Sequence, residues 1–238
     1  MPEQSDEVPA WQRKTEGESR VAVTLAVLVI VGLQFGPLKK LWPQPIWLLL
    51  PALEVWLLGV LVVVNPFRVN REERWLRNSG LLLTGVLSLA TAISAGRLVA
   101  ALIQWPPRWA FDLESTLRDP VNLLELGGAV WLTNVVVFGL WYWEFDRGGP
   151  AARAYARKPL PDFLFVQMQN PELTETEWEP EFFDYLYLSF TNATAFSPTD
   201  VMPMSRWAKA MMMVQSAISL VLVILVIARA INVLQPFP

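Results

Sequence analysis

An all-α integral membrane helical bundle is the fold class this sequence predicts, on three observations. Of 238 residues, 53% are apolar and only 17% charged, and the mean hydropathy is +0.34. Five apolar stretches approach or exceed the roughly 20 residues a helix needs to cross a hydrocarbon core of about 30 Å. Within those stretches only Glu54, Arg97, Glu125 and Arg229 carry charge, as expected when a charge at the centre of a spanning helix costs about 2.5–3.5 kcal/mol. Cysteine and histidine are absent, which excludes disulfides, Cys or His metal centres, imidazole acid–base chemistry and a Ser-His-Asp triad. With no phosphate loop or dinucleotide fingerprint either, the sequence predicts no enzyme, no cofactor, no metal centre and no nucleic-acid partner; the lipid bilayer is the first partner.

Taken in chain order, residues 1–20 form a charged leader with five acids against three bases, read as a cytoplasmic tail. The first span, Val21 to Leu38, follows it. Phe35-Gly36-Pro37-Leu38-Lys39 is not a small-residue cleavage site, so this stretch reads as an uncleaved anchor rather than a signal peptide. Spans at Ile46–Phe67 and Ser79–Gln104 complete a three-helix membrane region over 21–104. An external loop, 105–120, precedes the fourth span, Val121–Trp143, and the fifth runs from Ala210 to Leu234. Trp42 and Trp47 mark the start of the second span and Trp141-Tyr142-Trp143 the end of the fourth, as interfacial aromatics do.

Orientation follows from lysine and arginine in the loops. The leader, the loop after span two and the loop after span four hold thirteen, and the opposite side holds four. The amino terminus is therefore expected to be cytoplasmic and the carboxyl terminus external, with the chain spanning the cell membrane several times. On this topology Glu54, Arg97, Glu125 and Arg229 all fall toward the external half. They are read as an intramembrane charge cluster, either an ion or proton pathway or a set of structural salt bridges fixing helix packing.

The segment between spans four and five carries the most information. Arg147-Gly148-Gly149-Pro150 ends the outer helix, assigned 121–145, because glycine and proline together do not continue a helix. The connector, 146–181, is first basic and then acidic, with Glu172, Glu175, Glu177, Glu179 and Glu181. It reads as a solvated link or, alternatively, a cation-attracting vestibule. Residues 182–203 begin with an apolar run too short to span, a length typical of re-entrant or core-buried segments. The polar, proline-interrupted stretch after it leads into an inner helix at 206–234. A short helix, then irregular backbone, then a long helix is the order of a pore loop. On the final helix, Gln215, Ser216 and Ser219 suit either a wetted lumen or interhelical hydrogen bonds. The sequon Asn192-Ala193-Thr194 is expected to stay unused at a re-entrant position.

From Tyr187-Leu188-Ser189-Phe190 through Ile231, about the last fifty residues, the chain resembles the pore helix, filter and inner helix of potassium-channel-type, two-transmembrane pore domains. Ser189-Phe190, Thr194, Asp200 and Pro203 stand at the offsets of that family's pore-helix end, filter aspartate and following proline. The whole chain also resembles five-span bacterial membrane proteins of the same superfamily. The resemblance implies five transmembrane helices plus a re-entrant pore helix and loop, with potassium-channel-like last two helices, assembled as a homotetramer around a path for monovalent cations. It makes Thr194, Ala195, Phe196, Ser197, Pro198, Thr199 and Asp200 the filter-like loop.

Departures from the family pattern refine this expectation. Ser197 and Thr199 replace the two filter glycines, and Pro198 stands at the intervening tyrosine. A carbonyl ladder built on positive φ is closed to a β-branched threonine and to proline. The implied pore is therefore a weakly selective cation channel with a non-GYG filter, in which side-chain oxygens would line a hydrated site. The alternative is a non-conducting membrane scaffold or partner-binding protein that keeps the pore-loop fold; a small transporter is weaker, since no inverted repeat is visible. Because the charge count puts the loop on the cytoplasmic side, the module reads as inverted, as in glutamate-receptor-type channels.

Overall fold

Apolar residues on nearly every helical face make long, packed helices the only economical backbone for most of this chain, since in lipid the backbone must satisfy its own hydrogen bonds. The computed structural model describes residues 8–42, 45–65, 68, 73–103, 113, 117–194 and 200–234. It is 78% helical. The major elements are α1 (Val21–Phe35), α2 (Ile46–Val64), α3 (Arg74–Leu102), α4 (Pro120–Phe145), α5 (Pro150–Ala154), β1 (Phe163–Phe165), α6 (Val166–Gln169), α7 (Phe182–Thr194), β2 (Val201–Pro203) and α8 (Arg206–Leu234).

Four helices, α2, α3, α4 and α8, are long and apolar enough to cross a membrane. The first of the five expected spans is shorter than the sequence suggested. Helix α1 has 15 residues, about 22 Å at 1.5 Å per residue, and so falls short of a 30 Å core. It stops at Gly36, where ψ is −118°, and Pro37 opens a 3-10 turn through Leu41. Leu38 and Leu41 of that turn are buried with Leu98, Leu102, Leu123 and Leu126 and close one end of the bundle. Helix α3 instead starts five residues before the expected Ser79, because Arg74 to Asn78 continue the helix and Leu76 is buried.

Helix α4 is the organiser. Asp119 accepts a hydrogen bond from the Val121 amide at 2.9 Å and Pro120 supplies the first turn, the usual N-terminal chemistry. Fifteen of its residues are buried, where a helix with one face on lipid would bury about half as many. Its other end is abrupt: Arg147, Gly148 and Gly149 take φ of 54°, 90° and 99° in succession, the left-handed region that glycine tolerates. At Gly149 a Cβ would stand 2.9 Å from the Glu144 carbonyl oxygen.

The connector 146–181 is not simply solvated. Its first half folds back onto the bundle, burying Arg153, Ala154, Phe163, Phe165 and Met168. The pairing partner was invisible locally: β1 pairs antiparallel with β2, with Phe165 opposite Val201 and Phe163 opposite Pro203, across almost forty residues of sequence. The acidic half, 170–181, stays largely exposed, with Leu173 84% accessible. Nor are residues 8–20 a loose tail. Trp11 is buried under the Arg147 guanidinium, 5.5 Å from its ring. Thr15 donates to Glu179 at 2.9 Å, and Arg13 pairs with Glu177. Two of the five glutamates proposed for a vestibule are thereby engaged by the amino-terminal arm.

Helix α7 runs antiparallel against α4. The rings of Phe182 and Trp143 lie 6.1 Å apart at one end and those of Phe190 and Trp131 5.7 Å apart at the other. Trp131 is near the middle of α4, so the 13 residues of α7, about 20 Å long, descend along half of it. Close approach depends on Gly139, whose missing Cβ would sit 3.3 Å from the Leu186 Cα. Strand β2 is back at the Trp143 end, beside Phe163, whose ring is 5.0 Å from that of Tyr142.

Candidate functional site

Between α4, α7 and α8 lies a seam of polar side chains in otherwise apolar helices. Gln215 of α8 is fully buried. Its Nε2 donates to Ser189 Oγ at 2.6 Å and to the Ser189 carbonyl at 3.0 Å. Its Oε1 accepts from Tyr142 Oη at 2.6 Å and from Asn192 Nδ2 at 2.8 Å. Ser189 Oγ then donates to the Val135 carbonyl at 2.6 Å, and Asn192 Nδ2 also donates to the Met212 carbonyl at 3.0 Å. Ser216 Oγ donates to Asn192 Oδ1 at 3.1 Å, and lower down Asn134 Nδ2 donates to Ser219 Oγ at 3.0 Å. Of the two readings for Gln215, Ser216 and Ser219, the interhelical hydrogen bond is the one the geometry contains. The seam fixes α7 at one depth and one rotation against its neighbours, because each buried group has a single partner geometry. Asn192 of the sequon is spent in this seam.

A second polar cluster, which the sequence reading missed, anchors the top of α7. Asp146 is fully buried: Oδ1 accepts from the Asp162 and Phe163 amides at 2.8 and 3.2 Å, and Oδ2 from Tyr185 Oη at 2.6 Å. Asp162 accepts in turn from Trp207 Nε1 at 2.8 Å and from the Arg147 amide at 3.0 Å. Arg153 donates to the Trp143 carbonyl at 2.6 Å and the Asp146 carbonyl at 3.1 Å, and its guanidinium stacks 5.0 Å from the Tyr185 ring. It also meets Glu18 at 3.4 Å, a contact buried on both sides. Glu18 accepts from the Phe182 amide at 2.8 Å and from Trp143 Nε1, so the amino-terminal arm caps α7. Burial pushes the Glu18 carboxyl up to about 7, against the opposing pull of Arg153 and the two hydrogen bonds. At Arg153 burial disfavours the charge, but Tyr185, Glu18, Asp146 and Glu144 outweigh it and raise the pKa. The sequence signal that could have located this cluster is the run Glu144-Phe145-Asp146-Arg147, three charges within four residues at the end of an apolar helix.

Of the filter-like residues, Thr194 ends α7, its hydroxyl donating to the Thr191 carbonyl at 2.9 Å, and Asp200 stands half-buried just before β2. Ala195, Phe196, Ser197, Pro198 and Thr199 lie outside the described residues. The four intramembrane charges are not drawn together: among the described residues no ion pair joins any two of them. Glu54 is fully buried and accepts two hydrogen bonds from Gln34 Nε2, at 2.8 and 3.0 Å. Arg97 lies over the Trp42 ring at 5.9 Å. Glu125 is exposed, and Arg229 is half-buried on α8.

No family model, no curated protein and no solved structure matches this chain. The class that fold and site define is thus a mostly helical protein with apolar helices suited to a membrane, in which a short helix is held along half of a long one by buried polar contacts.

Proposed function

We propose that this chain is a subunit of a cation-conducting pore, weakly selective, in which the segment between α7 and β2 faces the conduction path. The observation that carries the reading is the course of the chain: α7 travels from the Trp143 end of α4 to its middle, and β2 lies again at the end where α7 began. Where α7 ends, halfway along α4, its last carbonyls must be buried in protein or face water. The direction of α7 favours a cation. Its carboxyl-terminal carbonyls, the negative end of the helix dipole, point toward the middle of the bundle, and Thr194 and Asp200 add oxygens on either side of residues 195–199. Four copies around an axis would bring these groups together, and the apolar outer surface of α8, where Val214, Val221 and Ile224 are exposed, is available for contact with lipid or with another copy. On the lysine and arginine distribution the loop enters from the cytoplasmic side of the cell membrane and the module is inverted.

The rival is a non-conducting scaffold with the same fold, favoured by Ser197-Pro198-Thr199 where a glycine-based filter would stand. Reconstitution separates the two. Purified, folded protein in liposomes is expected to pass monovalent cations above the level of empty vesicles, and Asp200→Asn is expected to lower the conductance. Flux equal to empty vesicles from protein shown to be folded and oligomeric favours the scaffold, and a monomer in native mass measurement opposes the pore directly.

A further inference from the structure

Four helix ends meet around a cavity of about 130 Å³ at the Trp143 end of the bundle, lined by α1, α2, α3 and α4 and by the start of the connector with α5. Its floor is apolar, with Leu58, Leu83 and Leu140, and Arg20, Arg77 and Arg157 line it as well. On its wall stands Glu144, 7% exposed. Among the described residues no protein group donates a hydrogen bond to this carboxylate and no cation lies within ion-pair distance of it. Arg153 acts on it electrostatically, ahead of Arg77 and Arg20, but gives its N–H groups to two carbonyls and Glu18. Room for the carboxylate comes from Gly80, where a Cβ would lie 2.9 Å from Glu144 Oε1. Arg20 adds the complementary feature, a buried Nε–H with no acceptor, and both Arg20 and Arg77 are close enough to act electrostatically on Glu144. A carboxylate more than nine-tenths buried and without a protein donor, near a guanidinium N–H without an acceptor, calls for one ligand with a donor and an acceptor side by side, since such groups are costly to leave unpaired.

We propose that this cavity binds a primary ammonium carrying an anionic group beside it. The ammonium donates to Glu144, the anion accepts from Arg20 and Arg77, and the carbon body rests on the leucine floor. The volume suits that ligand, because a cavity of about 150 Å³ takes one benzene and so a headgroup or a small amino acid, not a pair of acyl chains. Two sources supply this chemistry: the ethanolamine headgroup of an aminophospholipid, with its tails left in the bilayer, or a free zwitterion. The proposal does not rest on the pore reading.

Native mass spectrometry of the full-length chain in detergent tests it, titrating phosphatidylethanolamine against phosphatidylcholine of the same acyl chains, and alanine against its N-trimethylated form. A quaternary nitrogen has no N–H to give Glu144. The primary amine of at least one pair is expected to bind about tenfold more tightly than its trimethylated partner, as one charge-assisted hydrogen bond supplies. Preference within the lipid pair identifies a membrane ligand, and preference within the alanine pair alone a soluble one. Glu144→Gln is expected to cut that preference to about twofold or less, while Arg77→Gln weakens both members of a pair alike. Gly80→Ala, which keeps every charge but fills the carboxylate's space, is expected to lose the preference too. Equal binding of both members in both pairs by the parent protein, or an undiminished preference in folded Glu144→Gln, overturns the proposal.

Discussion

Replacing Gln215 by leucine tests whether the polar seam holds α7 in place. The change keeps the volume of the side chain and removes four hydrogen bonds, two to Ser189, one from Tyr142 and one from Asn192. Not all four partners become orphans. Ser189 Oγ keeps the Val135 carbonyl and Asn192 Nδ2 keeps the Met212 carbonyl, so the main loss is the Tyr142 hydroxyl, fully buried and left without its acceptor. An orphaned buried group costs about 1–3 kcal/mol, and each of the three further interhelical bonds about 0.6 kcal/mol in a membrane protein, giving roughly 3–5 kcal/mol in total. At about 2–4 °C per kcal/mol for a chain of this size, the midpoint of thermal unfolding in detergent should fall by roughly 6–20 °C. Tyr142→Phe added to Gln215→Leu should recover part of that fall, because the orphaned hydroxyl is then gone. A midpoint within about 2 °C of the parent, or a double variant less stable than the single one by the full cost of Tyr142→Phe alone, would show that the seam does not fasten α7.

Other outcomes follow from the same contacts. Because burial raises the Glu18 pKa from 4.5 to about 7, the folded state binds a proton that the unfolded chain releases. The stability from this group is complete below about pH 4.5, is lost as pH rises toward 7, and amounts to about 3 kcal/mol across that window. Burial raises Glu179 and Asp184 in the same direction. Glu18→Gln should flatten the slope of stability between pH 5 and pH 7 in denaturation measurements (about half or more of it lost). Gly139→Ala should press on the Leu186 backbone and lower stability by about 1–3 kcal/mol, measured by thermal unfolding, with reduced flux in liposomes if α7 sets the position of the loop. Arg153→Met should be the most damaging of these changes, about 3–5 kcal/mol, because Glu18 loses its buried partner, and it is read out as loss of folded protein on size-exclusion chromatography. Asn192 should remain unmodified in a glycosylation assay with microsomes, since its amide is held inside the seam.

Much of the helical outline was legible from composition, because charge in hydrocarbon is costly enough to clear whole segments of Asp, Glu, Lys and Arg. The starts and stops were less so. Helix α1 ends three residues early where Gly36 and Pro37 meet, a local signal present in the sequence but outweighed by the apolar run that continues to Leu38. That residues 182–194 form a short helix beside a long one could be anticipated from length alone, since the run is too short to span and too apolar to be left in water. What could not be read was partnership. The β1–β2 pairing joins Phe163 to Pro203, and the Glu18–Arg153 contact joins the leader to the connector across 135 residues; neither leaves a periodic trace. For the same reason Glu54, Arg97, Glu125 and Arg229 could be grouped by sequence as the charges within apolar stretches but not by their neighbours, and Gln34, the group that Glu54 actually meets, went unnoticed.

Because the natural chain contains no cysteine, single cysteines introduced one at a time between Phe182 and Pro203 can be labelled in sealed vesicles with a membrane-impermeant maleimide. A hairpin lodged in the bilayer predicts fast labelling only near the two ends of the segment and from one side, with positions 183, 187 and 190 shielded by lipid and any reactive positions within 195–199 slowed by cations that enter the path. Uniform, rapid labelling from 182 through 203 would contradict it.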